Sequence, residues 1–430
     1  MLVLTYSENK GIWKMKFLIY GINYAPELTG IGKYTGEMCE WLTKQGHEVR
    51  VVTSPPYYPA WKIGNGYSTW RYRRETLQGV DVTRCPLYVP SKPSAMKRLL
   101  HLFSFALLSS PIVSWKSLTW RPHIVVTLAP AFFCAPCGWF AARCGGGTAW
   151  LHIQDFELDA AFELGILRSS ILRKTATWVE SFVLNRFDRI STISNRMREL
   201  LTRKGVASIR TRLFVNWVDT NKLRPIDNPN PMRRELGIAD DTIIVLYSGN
   251  LGAKQGLETV IGSARILKQN TQIRFIICGD GANREHYQQL ASDLPNVTFL
   301  PLQPIEKLNL LLNLGDIHLV PQRAGAADLV MPSKLSGILA VGGVVVATAH
   351  EDSEVARAVR AAHGFICPHE NPEVMAETIA QISAKPEERK EIRIAARAYA
   401  EKYLGREQIL GGFLKVVSTP NAIQEATELV

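Results

Sequence analysis

Acidic side chains are the scarce charge in this sequence: 39 Asp+Glu stand against 50 Lys+Arg, a net charge of +11 over 430 residues. The balance disfavours cationic ligands and favours nucleotides, pyrophosphates, acidic lipid headgroups or nucleic acid, without choosing among them. Cysteine is sparse, and the seven thiols (Cys39, Cys85, Cys134, Cys137, Cys144, Cys278 and Cys367) are odd in number and scattered, several in apolar runs. A disulfide framework is not expected, and a reducing compartment is. Cys134-Ala-Pro-Cys137 has Cys144 near it but no fourth ligand at finger-like spacing, so no zinc site is expected. No Asp-x-Asp motif stands at the end of a strand-like run, so no metal is expected at a diphosphate site.

A convincing secretory signal is also missing. Residues 1–14 start apolar but have no long apolar region and no small-residue cleavage site. Met15, followed at once by a strand-like run, reads as the natural start, and residues 1–14 as an upstream extension without structural purpose. Residues 99–115 carry no Asp, Glu, Lys or Arg, yet the run is at the short limit for a bilayer span and holds Pro111. Lys97 and Arg98 before it, Lys116 and Arg121 after it, and Trp115 and Trp120 near its end suit a helix lying at an anionic interface. A buried helix packed on a sheet fits the same pattern.

With 46% apolar and 21% charged residues, a chain this long is globular material for two or three domains. Strand-like runs at 17–21, 48–53, 81–85, 123–128, 148–153, 189–193 and 213–215 alternate with helix-like stretches, the first of them at 32–44. This is the pattern of a parallel sheet covered on both faces. Residues 220–231 are rich in Pro and Asn and read as a connection. A second series follows, with strands at 242–249, 273–279, 296–300, 316–321 and 343–349 and helices at 256–268, 306–313, 333–341 and 372–383. The expected fold is α/β, two Rossmann-like doubly wound domains facing a cleft at the carboxyl ends of their strands. Their bounds are 15–219 and 236–400, with a linker at 220–235 and a helix and tail at 401–430.

Three strand-end loops in the second series carry the chemistry, two of them rich in glycine. Tyr247-Ser-Gly-Asn-Leu-Gly-Ala-Lys-Gln-Gly256 leads from strand to helix, with Gly249 and Asn250 at its start and Lys254 adding a point charge to backbone donors. Cys278-Gly-Asp-Gly281 ends the next strand where Gly279 and Gly281 leave room for a planar ligand. Asp328-Leu-Val-Met-Pro-Ser-Lys334 opens a helix, with Pro332 at its first position and Ser333, Lys334 and Leu335 at its positive end. Three such loops at strand ends of one domain, two with lysines, point to a nucleotide-diphosphate site.

In the first series, Pro26-Glu-Leu-Thr-Gly-Ile-Gly-Lys-Tyr-Thr-Gly36 places Gly30 and Gly32 where a helix opens, receptive to phosphate or a polar sugar. Helix-capping glycines are the structural alternative. It is no dinucleotide fingerprint, because Thr35 stands where a third glycine is needed, and Arg50 stands about 20 residues on where an acid is needed. Trp150-Leu-His-Ile-Gln-Asp-Phe-Glu157 sets His152, Asp155 and Glu157 just past a strand, and His152 and Asp155 are the catalytic candidates, able to accept a proton or steady positive charge. Each can equally be structural, bonding the loop backbone.

These residues resemble the GT-B glycosyltransferases of family 4. The similar stretches are Tyr20-Gly-Ile-Asn-Tyr-Ala-Pro-Glu-Leu-Thr-Gly-Ile-Gly-Lys-Tyr-Thr-Gly-Glu37, Cys85-Pro-Leu-Tyr-Val-Pro90, Leu151-His-Ile-Gln-Asp155, Leu246-Tyr-Ser-Gly-Asn250, Lys254-Gln-Gly-Leu-Glu258, Pro332-Ser-Lys-Leu335 and Ile338-Leu-Ala-Val-Gly-Gly343. The resemblance, closest to the colanic acid exopolysaccharide branch, implies a retaining fucosyltransferase. Its donor would be GDP-fucose and its acceptor a glucosyl-pyrophosphoryl-undecaprenol saccharide at the cytoplasmic membrane face. It also implies no cofactor, Gly30 and Gly32 near a phosphate, His152 and Asp155 near the reacting carbon, Lys254 and Lys334 on the diphosphate, and the loops around Gly279 and residues 300–302 on the guanine.

The chain departs from the broad family. Asn250 and Lys254-Gln255 stand where an Arg and a Lys are usual, and of the usual Glu-x7-Glu pair Leu329 takes the first place, beside Asp328, and Gly337 the second. A nucleotide-sugar epimerase of the same bilobal fold remains the alternative. A non-catalytic binder of anionic polymers explains the charge but not three ligand loops.

Overall fold

A computed structural model of the protein describes residues 5–7, 12–27, 30–129, 133–156, 170–226, 230–324 and 331–418. The chain forms two compact units, Met1–Phe214 with Phe413–Val430, and Val215–Gly412.

The first unit opens with a small antiparallel pair, β1 (Thr5–Ser7) and β2 (Ile12–Lys14), which no sequence pattern announces. Its main sheet holds β3 (Lys16–Tyr20), β4 (Glu48–Thr53), β5 (Arg73–Leu77), β6 (Val80–Arg84), β7 (Ile124–Ala129), β8 (Thr148–Ile153), β9 (Arg189–Thr192) and β10 (Thr211–Leu213). The spatial order is β10-β9-β8-β7-β3-β4-β6-β5, parallel throughout except for edge strand β5. β7 is buried at every position, as a strand covered on both faces must be. The helices are α1 (Gly30–Lys44), α2 (Ala95–Trp120), α3 (Cys134–Gly145), α4 (Ser170–Leu184) and α5 (Asn195–Arg203). Strand order runs one way from β3 to β4 and the other way from β7 to β10. With right-handed crossovers, α1 therefore covers one face of the sheet and α2 to α5 the other, and the switch point lies between β3 and β7.

α2 answers the question left open by its uncharged run, for it is buried along one side only. His101, Phe105, Ser109, Val113 and Ser117 face the sheet, where Ser109 Oγ and Tyr20 Oη are 2.7 Å apart. Met96, Leu100, Phe103, Leu107, Trp115 and Leu118 form an exposed stripe at helical spacing on the other side. The segment Met96–Trp120 is long and apolar enough to cross a bilayer by length and composition.

The second unit is an all-parallel sheet in the order β13-β12-β11-β14-β15-β16. Its strands are β11 (Ile243–Ser248), β12 (Ile273–Cys278), β13 (Val297–Leu300), β14 (Ile317–Val320), β15 (Val344–Thr348) and β16 (Phe365–Cys367). The helices are α6 (Pro231–Glu235), α7 (Leu257–Ile266), α8 (Arg284–Leu290), α9 (Leu308–Leu312), α10 (Ser333–Ala340), α11 (Glu354–Ala361), α12 (Pro372–Ser383), α13 (Pro386–Tyr403) and α14 (Arg406–Ser418). One core cluster joins Val245, Phe275, Ile317 and Val346 of four adjacent strands to Val260 of α7 and Ile379 of α12. The strand order again reverses, here between β11 and β14.

The presumed connection is partly bound to this unit. Arg397 of α13 donates to the Leu223 and Thr220 carbonyls at 2.9 and 3.0 Å, and Asn313 Nδ2 reaches Arg224 O at 2.9 Å. At the end of the chain, Phe413 of α14 returns to the first unit, stacking on Phe214 at 4.9 Å and meeting Trp150 edge-on at 5.1 Å.

Candidate functional site

β11 and β12 pair in register through Ser248 and Cys278, so the loops that follow leave the sheet side by side. Gly249 N donates to Cys278 O at 3.0 Å, Leu251 N to Asp280 O at 2.8 Å, and Asn283 N to Leu251 O at 3.1 Å. Gly279 has φ +149°, and a Cβ there would stand 1.8 Å from the Gly249 carbonyl oxygen. At Gly281 a Cβ would come within 2.5 Å of Asn250 Oδ1. The two glycine loops are thus pressed backbone to backbone at the carboxyl edge, which no side chain permits. Arg284 then ties this edge to β13, donating to Gly279 O and, at 3.1 Å, to Leu300 O. Sequence reasoning missed Arg284, although its place three residues past Gly281 was a signal.

Lys334 enters the same edge from α10. Its Nζ donates to Gln255 Oε1 at 3.0 Å and lies 4.5 Å from the Tyr247 ring, whose hydroxyl in turn donates to Asn250 O at 2.7 Å. No carboxylate meets this ammonium among the described residues, and burial pushes its pKa down to about 7. Lys254, the residue before Gln255, is exposed. Lys334 thus lies against Gln255 and the Gly249–Asn250 loop, while Lys254 adds charge from the adjoining turn.

α10 begins at Ser333, where the helix-like stretch 333–341 starts it, but Pro332 stands outside it and not at its first helical position. Pro332 is the cap, with φ −59° and ψ 131°, and Ser333 is the first helical residue, followed by the fully buried Leu335. Proline's fixed φ serves an extended cap as well as a first helical position, and only the ψ of the folded chain decides between them. Gly337 faces apolar neighbours: a Cβ there would meet Leu312 Cδ1 at 3.3 Å and Leu223 Cδ1 at 3.4 Å. The position of the family's second glutamate is thus packed into the core. Asp328, predicted for the donor site, lies outside the described residues, as do Leu329 and Glu157.

In the first unit, Gly30 opens α1 at φ +59°, with no atom of the described residues within 4 Å of an added Cβ. Gly32 sits against Glu27, whose Oε2 would be 2.7 Å from an added Cβ. Glu27 is buried and accepts Tyr57 N, Tyr58 N and Asn23 Nδ2 at 3.1, 3.0 and 2.9 Å. Burial pushes its carboxyl above the usual range while these donors oppose the shift. Arg84, 0% exposed, donates to Ser54 O at 2.8 Å, Ala25 O at 2.6 Å and Glu75 Oε1 at 2.6 Å. Glu27 and Arg84 together fasten the loop after β3 to the loop after β4. Neither was among the residues picked out from the sequence; a lone charge at the end of a buried strand was the signal for Arg84.

His152 is turned sideways along the sheet. Its Nδ1 lies 2.9 Å from Ser191 Oγ on β9, which also accepts Trp150 Nε1 at 2.8 Å, and its ring meets Phe214 edge-on at 5.0 Å. Enclosure lowers its pKa to about 4, so the imidazole is neutral. Asp155, two residues past the end of β8, is exposed at the carboxyl edge, and desolvation raises its pKa. The structure therefore separates the two catalytic candidates: Asp155 is open to a ligand, while His152 is bonded into the core behind it.

Residues 29–217 match the family described as Glycosyl transferase 4-like domain, and residues 230–399 match Glycosyl transferases group 1. The chain is 43% identical over 410 residues to the colanic acid biosynthesis glycosyl transferase WcaI of Escherichia coli (strain K12), covering 93% of this chain and 99% of that one. Among solved structures, sucrose-phosphate synthase from Thermosynechococcus elongatus aligns at TM-score 0.71 and 16% identity, over 94% of this chain and 98% of that one. HepE of Anabaena in complex with UDP-glucose aligns at 0.64 and 15%, over 94% and 99%. These matches span both units and do not favour the epimerase reading. Two doubly wound units, each with its family match, and identity along nearly the whole length of one relative place the chain among the GT-B glycosyltransferases of family 4.

Proposed function

We propose that the protein is a retaining fucosyltransferase, moving fucose from GDP-fucose to an undecaprenyl-diphosphate-linked saccharide in colanic-acid-type exopolysaccharide biosynthesis. The likeness to WcaI over 93% of the chain supports the pathway. The observation that carries the donor reading is Lys334, a partly buried ammonium that meets no carboxylate among the described residues, beside two fused glycine loops. An anionic diphosphate there would supply the missing charge.

Residues 236–400 would bind the nucleotide sugar and residues 15–219 the acceptor, with no metal or other cofactor. The acceptor hydroxyl attacks C1 from the face that the diphosphate leaves. As the C1–O bond to phosphate breaks, the hydroxyl proton passes to the departing phosphate oxygen. Lys334, Lys254 and the first turn of α10 stabilise the charge growing on that oxygen. Asp155 orients the acceptor or steadies positive charge on the sugar ring, and His152 positions the β8 end through Ser191. The exposed stripe of α2, with Lys97 and Arg98 at its start, would hold the enzyme peripherally at the cytoplasmic face of the membrane.

A donor panel of GDP-fucose, GDP-mannose and UDP-glucose, offered with lipid-linked glucose, tests this reading. Transfer of fucose with its anomeric configuration kept is the expected result. Donor isomerisation in the absence of acceptor would return the epimerase.

A further inference from the structure

A cavity of about 460 Å³ opens in the first unit at the end of β8 opposite to Asp155. Four arginines line it, Arg143, Arg186, Arg189 and Arg210, with the single carboxylate of Asp188. Arg143 donates to Asp188 Oδ1 at 2.7 Å, but Oδ2 of the same carboxylate is taken by Ala149 N at 2.8 Å. Arg210 is held by the Asn185 and Phe187 carbonyls at 3.0 and 3.2 Å, and Arg189 by the Asp188 carbonyl at 3.0 Å. Arg186 has no carboxylate among the described residues. Its guanidinium is instead fixed between two rings, 4.4 Å from Phe182 and 5.8 Å from Trp139.

Four guanidinium groups around one carboxylate repel each other unless an anion joins them, and the planar fork of arginine matches phosphate oxygens. The aromatic side of the cavity continues onto open surface. Phe182 stacks on Trp178 at 5.7 Å, and Trp178 is 66% exposed. Phe140, next to Trp139 on α3, is exposed as well. α3 and α4 cover the same sheet face as α2, so these rings share a side of the unit with its apolar stripe. Cationic side chains beside exposed Trp and Phe are the composition of a protein surface at a lipid interface.

We propose that this cavity binds the phosphate of an anionic membrane lipid headgroup, with Trp178 and Phe182 entering the lipid surface beside it. The proposal rests on the reading above that the enzyme works at a membrane.

Cosedimentation of the full chain with phosphatidylcholine vesicles, with and without phosphatidylglycerol, tests it. Replacing both Arg143→Gln and Arg186→Gln should weaken binding to the phosphatidylglycerol vesicles roughly 30-fold. Trp178→Ser, which leaves every arginine in place, should weaken it several-fold, and serves if the double variant does not fold. Sedimentation of these variants like the parent overturns the proposal. Calorimetry with inorganic phosphate separates the sources: phosphate binding lost in the double variant with vesicle binding unchanged assigns the cavity to a soluble phosphate and overturns the lipid. A parent protein that sediments with neither vesicle overturns the membrane reading, and the proposal with it.

Discussion

The Lys334 ammonium lies 4.5 Å from the centre of the Tyr247 ring, so among the described residues its charge is met by an aromatic face and one amide oxygen and by no carboxylate. Its pKa of about 7 in the free protein fixes the sign of a pH effect. Below pH 7 the lysine already carries the proton a diphosphate needs. As pH rises through 7 the free protein loses that proton and binding must recover it, so affinity for the nucleotide-sugar donor should fall by up to about tenfold per pH unit. Lys334→Met should bind donor more weakly below pH 7 and show no such slope, because a charge-assisted contact worth roughly 1.5–3 kcal/mol is gone. Donor titrations across this range check both outcomes.

Asp155→Asn keeps the size of the side chain and removes its charge. Donor affinity should survive, and transfer should fall by about 10²–10⁴-fold, the usual range for a positioned acid or base. Because desolvation raises the Asp155 pKa, parental transfer should also fail as pH drops, starting above the ordinary carboxylate range. Transfer at the parental rate by a folded Asp155→Asn enzyme would refute the assignment.

Gly279→Ala forces a methyl group into the Gly249 carbonyl, 1.8 Å away in the undisturbed loops. The loops must part, at a cost of about 1–3 kcal/mol for the strained conformation alone. Thermal unfolding should shift down and donor binding should be lost. Gly30→Ala, with φ +59° but no atom of the described residues within 4 Å of the new Cβ, should cost only about 1 kcal/mol and leave donor binding intact.

Replacing Lys97 and Arg98 by Ser at the start of α2 removes two exposed cations beside the apolar stripe. Each contributes about 1 kcal/mol near an anionic surface, an attraction that salt screens. Sedimentation with anionic vesicles should drop, most at low ionic strength. Equal binding by both forms would mean that the stripe meets something other than lipid.

Much of the architecture is legible because parallel strands buried on both faces must be continuous apolar runs. Residues 148–153 coincide with β8, and 343–349 enclose Val344–Thr348. β5 is invisible to that reasoning. Its residues, Arg-Arg-Glu-Thr-Leu, lie at the sheet edge and join it through antiparallel pairing and the Glu75–Arg84 ion pair. The glycine loops of the second unit are legible for a related reason: a backbone that turns sharply at a strand end selects glycine whatever surrounds it.

The sequence alone thus determines the doubly wound class, the strand ends that carry glycine, and the residues available for charge at those ends, because all three are written in consecutive residues. Only the tertiary structure decides which of those residues face a ligand. His152 and Asp155 stand three apart in one motif, yet pairing with β9 turns His152 toward Ser191 while Asp155 lies beyond the last pair and stays open. Arg84 meets the Ala25 carbonyl 59 residues away, and Arg143 joins Arg186 and Arg210 around one cavity, through sheet order and register. Such contacts depend on how distant segments are brought side by side, which no local periodicity records.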